Sequence, residues 1–568
     1  MSPATLNYSQ QTQRANAPTR QYAKKYLLVL LTLFSVVLSS AQNSSFLSDG
    51  VQDYVRRQQL TGRVAGSFSL MKESFFSVFS AADSLLPQWQ RGEGRKAGGR
   101  KQIQLQWLPV TFTGQYNSHH PYGSNDGAMI PARGLQAMVA GGVILKAGKF
   151  SLQLKPELLY AQNTNFETFP HEHYDLQWSK YYQLLNTIDL PEQFGVGSYQ
   201  KIGLGQSAIR YNTGAISTGI STENIWWGPG RYYALVMSNQ APGFIHYTLD
   251  TRKPIVTPIG SFEGQLIAGS LSSSGITLPD TNRYFNGVRL YQSKHEESRY
   301  LTGLMLSWQP KWMRGLFIGF TKVSYLYHTD VSGIADILPL EGIITSNAEK
   351  NGKKAATGSL FARYVMPEER AELYFEFGRN DKSPTLLNII GDNGYPRAYI
   401  AGFRKLFATR KPDQFIEFAA EFTQLQMPTG DLTQRGISWY AHPYVRQGYT
   451  QKGQVLGAGI GPGSNSQLLD ISWVKGFRKL GIKFERIARN NDFYYNAFIF
   501  PPDFTRHWID ISTTLHADWQ FHRFLFTGRM GLIRSLNYQW YIFPDLGYFK
   551  NGYDVLNFHG NFSVAYRF

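Results

Sequence analysis

From about Lys101 onward the chain repeats with a period of two, and the repeat is long enough to cross a membrane. Ile509, Ile511, Leu515, Ala517, Trp519 and Phe521 share one face with Thr513. Asp510, Ser512, Thr514, His516, Asp518 and Gln520 share the other. His522-Arg523 supplies a tight turn. Phe524, Phe526, Met530 and Leu532 then carry the apolar face onward, opposite Thr527 and Arg529. A tilted strand needs about 9–11 residues to span a bilayer, and both arms of this hairpin have them. Trp508 and Trp519, near the strand ends, are expected in the aromatic girdles of such a barrel. The same alternation recurs in Phe150–Tyr160, in Glu372–Phe377 and in Ile416–Phe422.

Alternation by itself also fits a soluble antiparallel sheet with one wet face, as in a sandwich or propeller. Two features favour the membrane. Aromatics reach 15% while mean hydropathy is only −0.30, and no apolar span of about 20 residues follows the N-terminus. The last residues, NFHGNFSVAYRF, set Phe558, Phe562, Val564, Tyr566 and Phe568 on one face. A terminal aromatic after alternating hydrophobics is the pattern read by outer-membrane assembly machinery. At roughly 25 residues per strand and connection, about 16–20 strands follow, an even number being expected. A lumen that wide must be plugged by loops or by the N-terminal segment, or it is a pore.

The N-terminus reads as an address. Lys24 and Lys25 precede the apolar run Tyr26–Leu38, and Ser39-Ser40-Ala41 follows with small residues at −3 and −1. This is the pattern of a secretory signal peptide over residues 1–41, with cleavage expected after Ala41. Residues 42–100 then form an N-terminal periplasmic segment, partly helical, before a barrel over 101–568. Val51, Tyr54, Val55 and Gln58 fall on one helical face, with Asp49 as a cap and Gly62 as a stop. Gly92–Lys101 (GEGRKAGGRK) is a basic linker or loop.

Zero cysteine excludes disulfide scaffolds, thiolate metal sites and a lipoprotein anchor. The formal charge of +17 falls to +13 once the four cations of the first 41 residues are removed. A basic envelope protein attracts polyanions, here lipopolysaccharide and acidic surface polysaccharide and not nucleic acid. Charge spread over solvated loops accounts for the same excess equally well.

Three stretches are specified by more than barrel packing: Gln115–Gly134 (QYNSHHPYGSNDGAMIPARG), Glu223–Asn239 (ENIWWGPGRYYALVMSN) and Trp439–Gln467 (WYAHPYVRQGYTQKGQVLGAGIGPGSNSQ). Gly and Pro impose turns. Aromatics offer flat faces, and Asn, Asp, His and Arg offer directional hydrogen bonds, which is the chemistry of a sugar-binding surface. Tyr122, Trp226, Trp227, Tyr232 and Tyr449 are candidates to stack on a pyranose, and Arg231, Arg446 and Lys452 to meet acidic groups. For any single residue, a girdle or turn role is the more common alternative.

The WWGPG run with Glu223-Asn224 before it and Ser238-Asn239 after it resembles the signature of the Wzi family of capsule-assembly proteins. The NSHHPYGSNDGAMIPARG and GYTQKGQVLGAGIGPGSNSQ segments resemble those of its Bacteroidetes-type members. So do Asp53-Tyr54, Arg56-Arg57-Gln58, Leu60 and Gly62. The resemblance implies an all-β fold: a transmembrane antiparallel barrel of about 18 strands in the outer membrane, with a short N-terminal periplasmic helical segment. It also implies a non-enzymatic surface lectin that binds surface polysaccharide and assists capsule assembly or attachment. The candidate polysaccharide contacts are Tyr122, Asp126, Trp226, Trp227, Arg231, Arg446 and Tyr449. The expected partners are capsular or other acidic polysaccharide, outer-membrane lipid and lipopolysaccharide, and the assembly machinery.

The rival readings are weaker. A porin or solute channel is the main alternative and needs an open lumen. No domain of about 100 residues precedes the barrel to act as a transporter plug. No cofactor is expected. His119-His120 and His171-x-His173 lack partners at ligand spacing, so no metal is expected. Glu372/Glu376 and Glu417/Glu421 suggest a glycosidase, but four residues on a strand span about 13 Å. Glycosidase carboxylates sit about 5–9.5 Å apart. Only a cross-strand pair stays open, and lumen-facing carboxylates paired with Arg or Lys are the simpler expectation. Gly457, Gly459, Gly461 and Gly463 lack the Lys-Ser/Thr and βαβ context of a phosphate loop.

Overall fold

The computed structural model describes residues 49–63, 103–278, 280–337, 352–381, 396–427, 438–498, 506–541 and 554–567. The signal sequence, the Gly92–Lys101 linker, the side chain of Asp49 and the terminal Phe568 lie outside the described residues.

Eighteen antiparallel strands close into one barrel. They are β1 (Ile103–Asn117), β2 (Gly134–Ala147), β3 (Phe150–Leu154 continued by Glu157–Ala161), β4 (Tyr199–Gly203 and Ala208–Thr213), β5 (Ile216–Ser221) and β6 (His246–Thr251 and Ile255–Thr257). They continue as β7 (Gly260–Leu271), β8 (Arg299–Pro310), β9 (Leu316–Tyr327), β10 (Ala355–Met366), β11 (Ala371–Asp381) and β12 (Arg397–Ala408). The last six are β13 (Gln414–Gln424), β14 (Asn465–Lys475), β15 (Arg478–Ala488), β16 (Ile509–Phe521), β17 (Phe524–Leu536) and β18 (Val555–Tyr566). Closure is direct: β18 pairs with β1, from Val110 opposite Tyr566 to Asn117 opposite His559. Such closure removes the unpaired edges that hydrocarbon cannot satisfy. The ladder of β3 is interrupted at Lys155-Pro156, because proline has no N–H to give.

The period of two sorts the side chains. Leu373, Phe375, Ile416, Phe422, Ile511, Leu515, Phe558 and Phe562 face outward and are exposed. Glu372, Tyr374, Glu376, Glu417, Ala419, Glu421, Asp510 and Ser512 face the lumen and are buried. Trp519 lies on the outer face, where the Arg478 guanidinium covers its ring at 4.5 Å. Trp508 does not join it. It shares the phase of Asp510, so it turns inward and packs on Tyr538 and Trp540.

Connections are short at one end of the barrel and long at the other. The short ones include 148–149, 214–215, 476–477 and 522–523, the last with β16 and β17 paired up to Phe521 opposite Phe524. The long ones include 118–133, 162–198, 222–245 and 489–508. In outer-membrane barrels the short turns are periplasmic and the long loops extracellular.

Helix α1 (Asp49–Leu60) lies inside the short-turn mouth. Its face of Val51, Tyr54 and Val55 packs against Phe477, Leu525 and Ala565. Leu60 packs against Phe317, Val365, Leu406 and Val474. Gly62 ends the helix at φ +68°, a left-handed conformation that glycine adopts without strain. Two further helices, α2 (Asp175–Leu185) and α3 (Asn491–Ala497), pack together among the long loops. Leu515→Arg, at the middle of the lipid face of β16, is expected to cost about 2–4 kcal/mol. Urea unfolding in lipid vesicles reads this directly.

Candidate functional site

The lumen is filled by the three specified segments, and each has a definite place in it. Segment 222–245 leaves β5 at the long-loop end and descends until its tip meets α1. Trp227 pairs with Met237 across this loop, and its Nε1–H donates to Gln265 at 2.8 Å. Gly228 has φ +113°, and a Cβ there would lie 2.6 Å from a Glu376 carboxylate oxygen, so no other residue fits. Glu421 then captures the tip. Its carboxylate accepts from the backbone N–H groups of Arg231, Tyr232 and Tyr233 at 2.7, 3.2 and 3.0 Å. The Tyr374 hydroxyl completes its shell at 2.7 Å.

At the contact with α1 the charges interlock. Arg231 Nε lies 2.9 Å from Asp53, and its terminal nitrogen 2.9 Å from Glu417. Arg404 joins the same two carboxylates at 3.1 and 2.6 Å. Lys479 lies 3.0 Å from Glu417 and 3.5 Å from Asp470. Arg56 of α1 and Arg363 hold Glu372 at 2.9 and 2.6 Å. Arg56 also donates to the carbonyl of Pro229 in the WWGPG turn at 2.8 Å. Burial alone would raise the Asp53 carboxyl; Arg231, Arg404 and Lys479 outweigh it and hold the group well below the usual aspartate range. Its stabilisation is therefore full at neutral pH, declines as pH falls below the ordinary aspartate range and is gone once pH has passed through that depressed value. Of the four carboxylates on β11 and β13, Glu372 and Glu417 pair with cations as the sequence suggested. Glu376 binds the Ser359 hydroxyl at 2.6 Å, and Glu421 binds amides and a phenol.

The other two segments pack onto the first. Asn125 donates to the Tyr232 carbonyl at 2.8 Å, and Gly127 N–H to the Asn239 carbonyl at 2.8 Å. Tyr440 donates to the Leu235 carbonyl at 2.7 Å and accepts from Ala458 N–H at 2.7 Å. Gln454 donates to the Met129 carbonyl at 3.1 Å. The glycines at 457 and 459 let this loop close on Tyr440 and Gln240, where a side chain would collide.

The candidate contacts accordingly separate by depth. Trp227 and Tyr449 are wholly buried, and the Tyr449 ring lies between Tyr440 and Tyr325, with centroids at 5.8 and 5.4 Å. Arg231 belongs to the ion cluster. Arg446 donates to the backbone carbonyls of Asn186, Gln292 and Ser293 and so ties three loop positions together. Trp226 is half-buried. Tyr122 and Asp126 alone of the seven line a cavity of about 320 Å³ in the long-loop half of the lumen.

Besides Tyr122, Asp126 and Trp508, this cavity draws on residues that do not stand out in the sequence. Trp508, Tyr538 and Trp540 give it an aromatic wall, with Trp508 at 5.0 and 5.1 Å from the other two. Arg489 sits between the rings of Tyr122 and Trp508, about 6 Å from each, and is held by Asp510 at 2.8 Å. Glu192 accepts from Phe169 N–H and from the Gln539 amide at 3.2 Å each. Burial pushes its carboxyl up to about 7, against the pull of these hydrogen bonds, so it can both donate and accept near neutrality. Apolar ring faces beside a carboxyl, amides and a guanidinium form a surface for a polyhydroxylated ring. The sequence signals were slight: Asn490 and Asn537, both left-handed, sit beside these aromatics.

The family profile described as Capsule assembly protein Wzi matches residues 130–528. Among solved structures, the chain is similar to Wzi of Escherichia coli, an outer membrane protein involved in group 1 capsule assembly and described as a carbohydrate-binding β-barrel. The two share 9% identity at a TM-score of 0.57, over 93% of this chain and 100% of that one. It is also similar to OccAB2 of Acinetobacter baumannii, at 10% identity and a TM-score of 0.40, over 81% of this chain and 97% of that one. No curated protein sequence matches.

Removing Arg231 as Arg231→Met leaves Asp53 and Glu417 with one cation fewer in a buried cluster. The expected loss is about 3–5 kcal/mol. Limited proteolysis at residues 49–63 should accelerate in this variant, because α1 keeps only the Arg56–Pro229 hydrogen bond to the loop and loses the ion pair through Asp53.

Proposed function

The chain belongs to the Wzi family of capsule assembly proteins, and from that premise we propose that its long-loop cavity binds surface polysaccharide and so helps to assemble or attach the capsule, without catalysis. A chain of this family and fold resides in the outer membrane. The observation that carries the reading is the cavity itself: three aromatic rings, Tyr122, Asp126, Arg489 and Glu192 converge in the half of the lumen that faces the cell exterior. A glycan offers C–H faces to the rings and hydroxyls to the polar groups. Among the described residues no cluster of three metal-binding side chains occurs.

Within this reading the seven candidate residues divide their work. Tyr122 and Asp126 touch the sugar. Trp227, Arg231, Arg446 and Tyr449 hold the segments that shape the cavity. Trp226 stays a candidate contact. The net charge favours an acidic polymer held close by long-range attraction. The outward apolar face meets lipid and lipopolysaccharide, and the alternating C-terminal strand engages the assembly machinery. Residues 1–41 act as the export signal and 42–100 as the periplasmic segment that delivers α1.

Tyr122→Ala combined with Asp126→Asn should weaken binding of purified surface polysaccharide about 10- to 100-fold, or roughly 1.4–2.8 kcal/mol. Because the Tyr122 ring also packs on His559 and Asp126 accepts from Gln115, the urea midpoint is measured beside it, and the shape-preserving Asp126→Asn alone should already weaken binding. Unchanged binding would remove these residues from the contact surface. Trp227→Ala behaves oppositely: it empties a wholly buried site and should cost about 3–5 kcal/mol of stability.

A further inference from the structure

The cavity has walls and a floor. Its walls come from the loops that join β1 to β2, β3 to β4 and β13 to β14, from Gln240 of the descending loop, and from Arg489, Asn490, Trp508 and Tyr538 to Trp540. Beneath it is a second pocket of about 50 Å³, floored by Tyr233, whose hydroxyl donates to Glu485 at 2.6 Å. That volume admits a water or two and no sugar. Below lie Arg231, Lys479 and Asp470 of the ion cluster, each with at most 8% of its side chain exposed, and then α1. This buried layer lies between the cavity and the short-turn mouth.

A polymer bound along its length needs a groove with two exits. A pit has one. The volume of about 320 Å³ also lies at the small end of the roughly 300–1,000 Å³ of small-ligand sites. It holds a sugar unit or two and no long segment.

We propose that the cavity binds the terminal sugar units of the polymer, with the rest of the chain leaving through the long-loop mouth. This rests on the polysaccharide-binding reading above and makes it more specific. Chemistry agrees with the shape. A terminal sugar carries a free hydroxyl where an internal unit carries a glycosidic bond, so its site needs additional hydrogen-bonding groups. Asp126, Gln240, Gln454, Glu192 and Gln539 all line the cavity.

The test uses the organism's own surface polysaccharide, partly hydrolysed and sized into fragments from disaccharide to decasaccharide. Each is titrated calorimetrically against the full-length barrel in detergent. End binding predicts that affinity per fragment levels off by the trisaccharide, with the decasaccharide within about threefold of it. An affinity that climbs tenfold or more from trisaccharide to decasaccharide overturns end binding and leaves the polysaccharide reading intact. Absence of binding by fragments and intact polymer alike overturns both.

Discussion

The interior depends on the buried contact between Asp53 of α1 and Arg231 of the descending loop. One segment enters from the short-turn mouth and the other from the long-loop end. They meet where Glu417, Arg404, Lys479 and Asp470 project from the barrel wall. None of these charges could stay buried alone, since an unpaired buried ion costs several kcal/mol. Together they make each segment's position conditional on the other. Glu421 adds the backbone half of the same restraint by binding three successive amides of the loop tip. An 18-strand barrel is wide enough to leave an aqueous channel. Here α1, the descending loop and the two segments packed onto it occupy much of that space, and a cavity of about 320 Å³ remains among the long loops.

The barrel was legible because lipid permits so few solutions. A spanning strand must turn one face to hydrocarbon and the other to the lumen, and residues such as Ile511 and Ser512 declare their sides by alternation. The helix was legible from Val51, Tyr54 and Val55 at helical spacing. Depth was not legible. Trp226 and Trp227 are adjacent and chemically identical, yet only Trp227 is wholly buried, because Gly303 opens a space for its ring. A place near a strand end suggests the lipid girdle for Trp508, but its phase with Asp510 points it inward. Arg489, Glu192, Tyr538 and Trp540 meet only because loops distant in sequence converge, and no local pattern encodes that meeting.

The same residues that carry the family likeness therefore act mostly as framework. WWGPG is a turn whose Gly228 admits Glu376 and whose Pro229 carbonyl receives Arg56. The glycine-rich 457–463 stretch closes on Tyr440 and Gln240. Such constraints keep a lumen shut and a cavity floor in place.

The central claim is that this barrel is a closed receptor and not a pore, and ion conductance of the purified full-length protein in planar bilayers tests it most directly. The account predicts insertion without conductance steps, since α1 and the descending loop seal the lumen through their ion cluster. Sustained steps of the size expected for an open barrel of eighteen strands would contradict it.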